Sequence, residues 1–355
     1  MLISKKKPQF PIIPELRKYL RNNARERKVS ISYSDLIRFN YSIPIFDKHG
    51  VDTLWQSVMY PQADMIEIHM GLKQIYAMLY MDGDSSVVEH LTIDRVEYCT
   101  FGNSKPFRIR VRNILNDNYG YYYIKQADAS RVYGLELEHI LSPNKINFIV
   151  DKDTLIEDHI AGVPGDEFIK DYFTDNNINK IRIAKEFIKF NERCFIRLLG
   201  DMRSYNYVVD ITPDFEEAQY RIRAIDFDQQ SYEGKKNMYL PQFFKENYPA
   251  VRLCIQHIDK ETVKQYQKEE RTLIAKRLRS SRYRVKDLID IMNIDRISTE
   301  EKVNQLKSEL AVHFQDPTFE KCRNMGEVLK KNLKTTLLKP MRQLDKKRND
   351  SFQNF

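Results

Sequence analysis

Leu199-Gly200-Asp201-Met202-Arg203-Ser204-Tyr205-Asn206 is the segment on which the reading of this chain turns, and Asp226-Phe227-Asp228 closes the stretch that it opens. Between them Tyr207 to Asp210 and Tyr220 to Ile225 read as strands and Pro213-Asp214 as a turn, so the order is loop, hairpin, acidic tripeptide. One loop thus supplies a carboxylate and, five residues later, a side-chain amide, while the end of the next hairpin supplies two more carboxylates. These are hard oxygen donors of the kind that hold magnesium. Asp and Asn also cap helices and build Asx turns, so Asp201 and Asn206 alone decide nothing. The hairpin and the second acidic group in fixed order are what set them apart from a local turn.

Working upstream, Val96 to Phe101, Phe107 to Arg112 and Tyr119 to Lys125 read as three antiparallel strands, separated by Gly102-Asn103-Ser104-Lys105-Pro106 and Asn116-Asp117-Asn118. A helical pattern runs from Ser130 to Leu141, and two further strands, Ile146 to Val150 and Thr154 to His159, follow it. Ala161 to Asp166 breaks the chain. From Glu167 to Leu199 the pattern is helical, as it is again beyond the hairpin. Nearer the start, Ile68, Leu72, Ile75 and Leu79 place a helix over Met65 to Leu79, and Glu15 to Arg27 reads as an exposed helix. A small sheet followed by helices is an α+β pattern. The expected organisation is a helical extension over residues 1–90, a small antiparallel lobe with one helix over 91–159, and a mainly helical lobe over 160–355.

In this order the pieces resemble the protein-kinase-like superfamily, and within it the small-molecule kinases such as aminoglycoside phosphotransferases and choline kinases. Those show H-G-D-x-x-x-x-N, then a hairpin ending in D-F-D or a relative. Gly200, Asp201 and Asn206 match, and Leu199 stands where the family carries His. The resemblance spans Val96 to Asp228, about a third of the chain. It implies a bilobal kinase-like fold, ATP and Mg2+ as cofactors, Asp201 as catalytic base and Arg203 as the group that steadies the transferred phosphoryl. Asn206 and Asp226 would be magnesium ligands, with Asp228 as an auxiliary one. Lys125 would hold the phosphates and pair with a glutamate of the following helix, Glu136 in preference to Glu138. Backbone groups from Glu157 through His159 to Ile160 would meet adenine, and Gly102 with Ser104 would form a short phosphate-covering loop. Read alone, Lys125 is equally a solvated strand charge and Gly102 a bare hairpin turn. Leu199 and the single glycine favour a pseudokinase or a nucleic-acid-binding module that keeps the fold, whereas Lys125, Asp201, Asn206 and Asp226 together favour an enzyme.

Composition sets the bounds. With 42% hydrophobic and 30% charged residues the chain falls in the globular range. No apolar run approaches the length of a membrane span, and the basic start lacks the apolar core of a signal peptide, so a cytoplasmic protein is expected. The seven histidines form no H-E-x-x-H pair, no G-x-S-x-G elbow occurs, and the four cysteines are far apart. Zinc catalysis, a serine hydrolase and a paired redox site are therefore not expected. Residues 1–30 carry 9 basic against 2 acidic side chains, and residues 260–355 carry 23 against 14. Such ends suit anionic partners, nucleic acid among them, or simply keep helix faces solvated. They disfavour a polycationic acceptor, so the expected acceptor is a neutral or anionic small molecule or a glycan. No A-P-E element follows Asp226, which argues against a protein substrate.

Overall fold

The computed structural model describes residues 7–102, 104–175, 178–215 and 218–353, with 343–353 described by backbone alone. The chain forms two compact units, Met1–Ala129 with Ile146–His159, and Ser130–Lys145 with Ile160–Phe355. It is an α+β protein with antiparallel sheets and a helical C-terminal part.

The first unit contains α1 (Pro14–Asn22), α2 (Tyr33–Leu36), β1 (Tyr41–Phe46), β2 (Asp52–Met59), α3 (Gln62–Tyr80), β3 (Leu91–Cys99), β4 (Phe107–Asn113), β5 (Tyr119–Gln126), β6 (Phe148–Asp151) and β7 (Thr154–Asp158). Its seven strands lie in the order β1-β2-β3-β4-β5-β7-β6. Alternation along β4 sends Phe107, Ile109 and Val111 to one face, where Val96, Tyr122 and Ile124 join them under Ile68, Leu72 and Ile75 of α3. Burying each such side chain stabilises the unit by about 1.5–3 kcal/mol. The Tyr122 hydroxyl donates to the Leu72 carbonyl at 2.8 Å, so even this buried phenol is satisfied. The opposite face carries Arg108 over the Trp55 ring at 4.4 Å and Arg110 over Tyr119 at 4.0 Å.

Residues 1–90, expected as a helical extension, instead contribute β1 and β2 to the sheet. The reason for the miss is chemical. β1 reads Tyr-Ser-Ile-Pro-Ile-Phe, and Pro44 argues against a strand unless that strand lies at an edge, which is where β1 lies. The helix expected over Glu15 to Arg27 is the shorter α1, and it is no solvated rod: Leu16, Tyr19 and Leu20 are buried.

The second unit takes α4 (Ala129–Leu141) from Ser130 onward, then β8 (Val163–Pro164), α5 (Gly165–Tyr172), α6 (Lys180–Arg197), β9 (Tyr207–Thr212), β10 (Gln219–Ala224), α7 (Tyr248–His257), α8 (Lys260–Ser280), α9 (Arg282–Met292), α10 (Glu300–Phe314) and α11 (Met325–Gln353). The expected boundary at residue 159 left α4 with the sheet, whereas its contacts place it from Ser130 with the helical unit. α6 is the core of this unit, with Phe187, Phe190, Cys194 and Ile196 buried. It also buries Arg193 and Arg197. Arg197 pairs with Glu138 of α4, and Arg193 meets Glu186 at 2.6 Å and Glu270 at 3.5 Å, so these charges are paired where solvent is absent. α6 ends where Leu198 turns left-handed, at φ 54°, and that turn starts the loop that carries Asp201.

Candidate active site

The Asp201 loop is fixed by backbone before any side chain is considered. Leu199 bridges Gln230, the Gly200 N–H donates to the Gln229 carbonyl at 3.2 Å, and the Ser231 N–H donates to the Leu198 carbonyl at 2.8 Å. The chain just past Asp228 is thereby bound to the chain just before Asp201. Leu199, where the family pattern has His, is fully buried and serves packing. Asp201 itself has φ 57°, a left-handed conformation uncommon outside glycine and best tolerated by Asn and Asp. Its N–H donates to the Met238 carbonyl at 3.0 Å, and its carbonyl accepts from the Arg203 N–H and from Asn206 Nδ2 at 2.7 Å. Conformational strain of this kind collects at functional sites.

The carboxylate of Asp201 sits 2.9 Å from Arg203 Nε, and Arg203 Nη1 continues to Glu246 at 2.9 Å. Burial pushes the Asp201 carboxyl above its ordinary range; Arg203 opposes the rise, and the nearby Asp226 and Glu233 charges add to it. A residue that sequence reasoning missed, Asn247, completes the support. It is fully buried, donates to the Met202 and Pro241 carbonyls at 2.9 and 2.8 Å, and accepts from the Tyr207 hydroxyl at 3.0 Å.

Asn206 stands at the end of the loop, and the Ile225 N–H donates to its carbonyl at 3.0 Å, which ties it to the residue before Asp226. With Nδ2 committed to the Asp201 carbonyl, the amide presents Oδ1 as its acceptor. Asp226 and Asp228 share one cation that the sequence did not foretell. Arg131 of α4, 2% exposed, donates from Nη2 to Asp226 Oδ1 at 2.7 Å and from Nε to Asp228 Oδ1 at 2.6 Å. The Ser130 hydroxyl bonds the carbonyls of Asp228 and Gln230. Gly134 lets the helix approach, since a Cβ there would stand 3.0 Å from Phe227 Cβ. Asp201, Arg203, Asn206, Asp226 and Asp228 are thus gathered in one unit, with Arg131 among them.

The other expected residues lie as follows. Within the sheet unit Lys125 pairs with Glu157 at 2.6 Å. The register explains this: Lys125 stands opposite Leu155 on β7, and Glu157 lies two residues along, on the same face. Glu136 meets Arg284 within the helical unit, at 2.7 Å from Nε. Glu138, the alternative, takes Arg197. Glu157 was also expected at an unpaired strand end, yet β7 pairs with β5 on one side and β6 on the other through Asp158. The ladder ends at Asp158; the His159 N–H donates to the Tyr80 hydroxyl at 3.3 Å, its ring packs against Tyr121 and Tyr123, and Ile160 is buried. Gly102 has φ 93° in the β3–β4 turn with open space around it, and Ser104 follows in the same turn; Asn103 between them lies outside the described residues.

No family model matches the chain, and no curated protein matches it. Among solved structures it is similar to the PAN3 pseudokinase of Neurospora crassa, at 8% sequence identity and a TM-score of 0.20, over 83% of this chain and 74% of that one. A likeness so slight identifies neither fold nor function. No helix among the described residues is long and apolar enough to cross a membrane.

Proposed function

We propose that this chain is a bilobal, kinase-like phosphotransferase that moves the γ-phosphoryl group of ATP to a hydroxyl of a neutral or anionic small molecule. The observation that carries the reading is the Asp201 loop: a half-buried carboxylate in a left-handed turn, flanked by Arg203 and anchored through its carbonyl by Asn206. In this reading Asp201 accepts the proton of the attacking hydroxyl, and its raised affinity for protons suits it to do so. Arg203 orients that carboxylate and lies where it can meet the transferred group. Asn206 Oδ1 and the Asp226 carboxylate are hard oxygen donors, a chemistry that fits Mg2+, and Asp228 adds a third. Magnesium, when bound, offsets phosphate charge as the phosphoryl group transfers. Lys125 is the residue proposed for the phosphates. Only a short run separates Asp228 from the turn at Lys236–Tyr239, which favours a small acceptor over a protein groove. Release of ADP with a panel of hydroxyl acceptors tests the reading. Asp201→Asn should lower kcat by at least about a hundredfold with little change in nucleotide affinity, the range ascribed to a general base. Equal loss of both would contradict the assigned role.

One observation favours a second reading, a nucleotide-binding protein without transferase activity. Arg131 already satisfies Asp226 and Asp228, so the acidic pair holds a cation with no metal required. Replacing Arg131 by Gln separates the two. The two carboxylates then repel and the thermal midpoint falls. If the site takes magnesium, adding Mg2+ restores much of that loss in the variant; in the non-catalytic reading Mg2+ leaves it unchanged.

A further inference from the structure

The second unit holds an open groove of about 800 Å3 between α9 and α11, with α8 contributing at one end. Its walls are apolar: Leu278, Val285, Ile289, Leu333, Leu338 and Met341. The two helices run antiparallel along it, because Asn324, just before α11, donates to the Asn293 carbonyl just past α9, while Asp290 earlier on α9 meets Lys330 later on α11 at 3.2 Å. From Lys330 to Met341 the groove is about 17 Å long at the rise of an α-helix.

Five cations line this groove against two carboxylates. Asp290 is shared by Lys286 at 2.8 Å and Lys330, and Asp316 is taken by Lys331 at 2.6 Å, a contact that holds the Asp316 carboxyl down to about 2. Lys334 is exposed and has no carboxylate partner among the described residues, and Arg282 contacts only the Tyr283 side chain. Apolar walls gain by displacing water onto hydrocarbon, and unneutralised cations on the rim attract an anion. One kind of molecule offers both. The volume lies in the range of small-molecule pockets.

We propose that this groove binds a single-chain acyl anion, its hydrocarbon along Val285, Ile289, Leu333 and Leu338 and its acidic head at Lys334 and Arg282. The assignment is independent of ATP and of the Asp201 site. Dodecanoate, kept below its micelle concentration and titrated calorimetrically into the full chain, should bind saturably at one molecule per chain. Leu338 is 47% exposed and Lys334 is on the surface, so Leu338→Asp and Lys334→Glu leave the core intact. Each should weaken dodecanoate by about tenfold, which is about 1.4 kcal/mol. Butyrate, with the head alone, and dodecyltrimethylammonium, with the opposite charge, should not bind. Absence of dodecanoate binding, equal binding of the cationic amphiphile, or unchanged affinity in both variants would overturn the proposal. So would binding of phosphatidylglycerol vesicles or of an acidic amphipathic peptide where dodecanoate does not bind.

Discussion

Asp201 and Arg203 form a pair whose separation of roles can be read in a pH profile. Burial raises the Asp201 carboxyl and Arg203 holds it back, so the base must lose its proton against a fold that favours the protonated form. The sign follows: the fold is most stable where Asp201 is protonated, and that contribution is lost as pH rises through its raised value. In the proposed reaction activity runs the other way and falls as pH drops through the same value. Removing the guanidinium in Arg203→Ala should therefore move the acidic limb of kcat/KM to higher pH, with Arg203→Lys moving it less. An unmoved limb would assign it to another group. Asp201, Asn206 and Asp226 were legible because loop and hairpin keep them within one short stretch of sequence. Arg131 was not, because it stands 95 residues before Asp226 and nothing in its own neighbourhood distinguishes it from a helix-surface arginine. Asn247 was hidden for the same reason, since its partners Met202 and Tyr207 are brought to it by tertiary folding.

Helix α4 is attached to α6 by charge as well as by packing. Glu138 and Arg197 are both about 2% exposed, and although burial, the largest single effect, would raise the Glu138 carboxyl, Arg197 together with Ser142 and Arg193 makes the net shift downward. The pair's contribution is complete above the ordinary glutamate value of 4.5 and is lost as pH falls through the depressed one. Arg197→Met leaves that carboxylate without its guanidinium and should cost about 3–5 kcal/mol in denaturant unfolding. Combining it with Glu138→Leu should recover much of the loss, and a double variant no better than the single would mean that the pair is not coupled. At this scale strong periodicity was readable: β4, β5 and α4 lie within a residue of where the sequence put them, and α3 begins three residues earlier than expected. β1 escaped because an edge strand can hold Pro44 and expose apolar side chains, and β2 because it buries only Val58, so neither shows the alternation that marks a strand. The pairing of Lys125 with Glu157 escaped too, because strand register rather than sequence distance brings the two together.

For the molecule as a whole, the proposed function requires that the chain bind a magnesium nucleotide. Acidic side chains outnumber basic ones between residues 31 and 259, and basic ones outnumber acidic ones at both ends. The acidic group around Asp201, Asp226 and Asp228 calls for a cation that Arg131 supplies in part, and Lys125 calls for an anion that Glu157 supplies. On the proposed reading, magnesium competes with Arg131 for the acidic group, and phosphate competes with Glu157 for Lys125. Calorimetric titration of ATP into the full chain, with and without Mg2+, measures this most directly. The account predicts binding in the micromolar to millimolar range of ordinary enzyme substrates, stronger with Mg2+ than without, and weakened in its magnesium dependence by Asp226→Asn. No binding in either condition, or binding indifferent to both Mg2+ and Asp226→Asn, would contradict it.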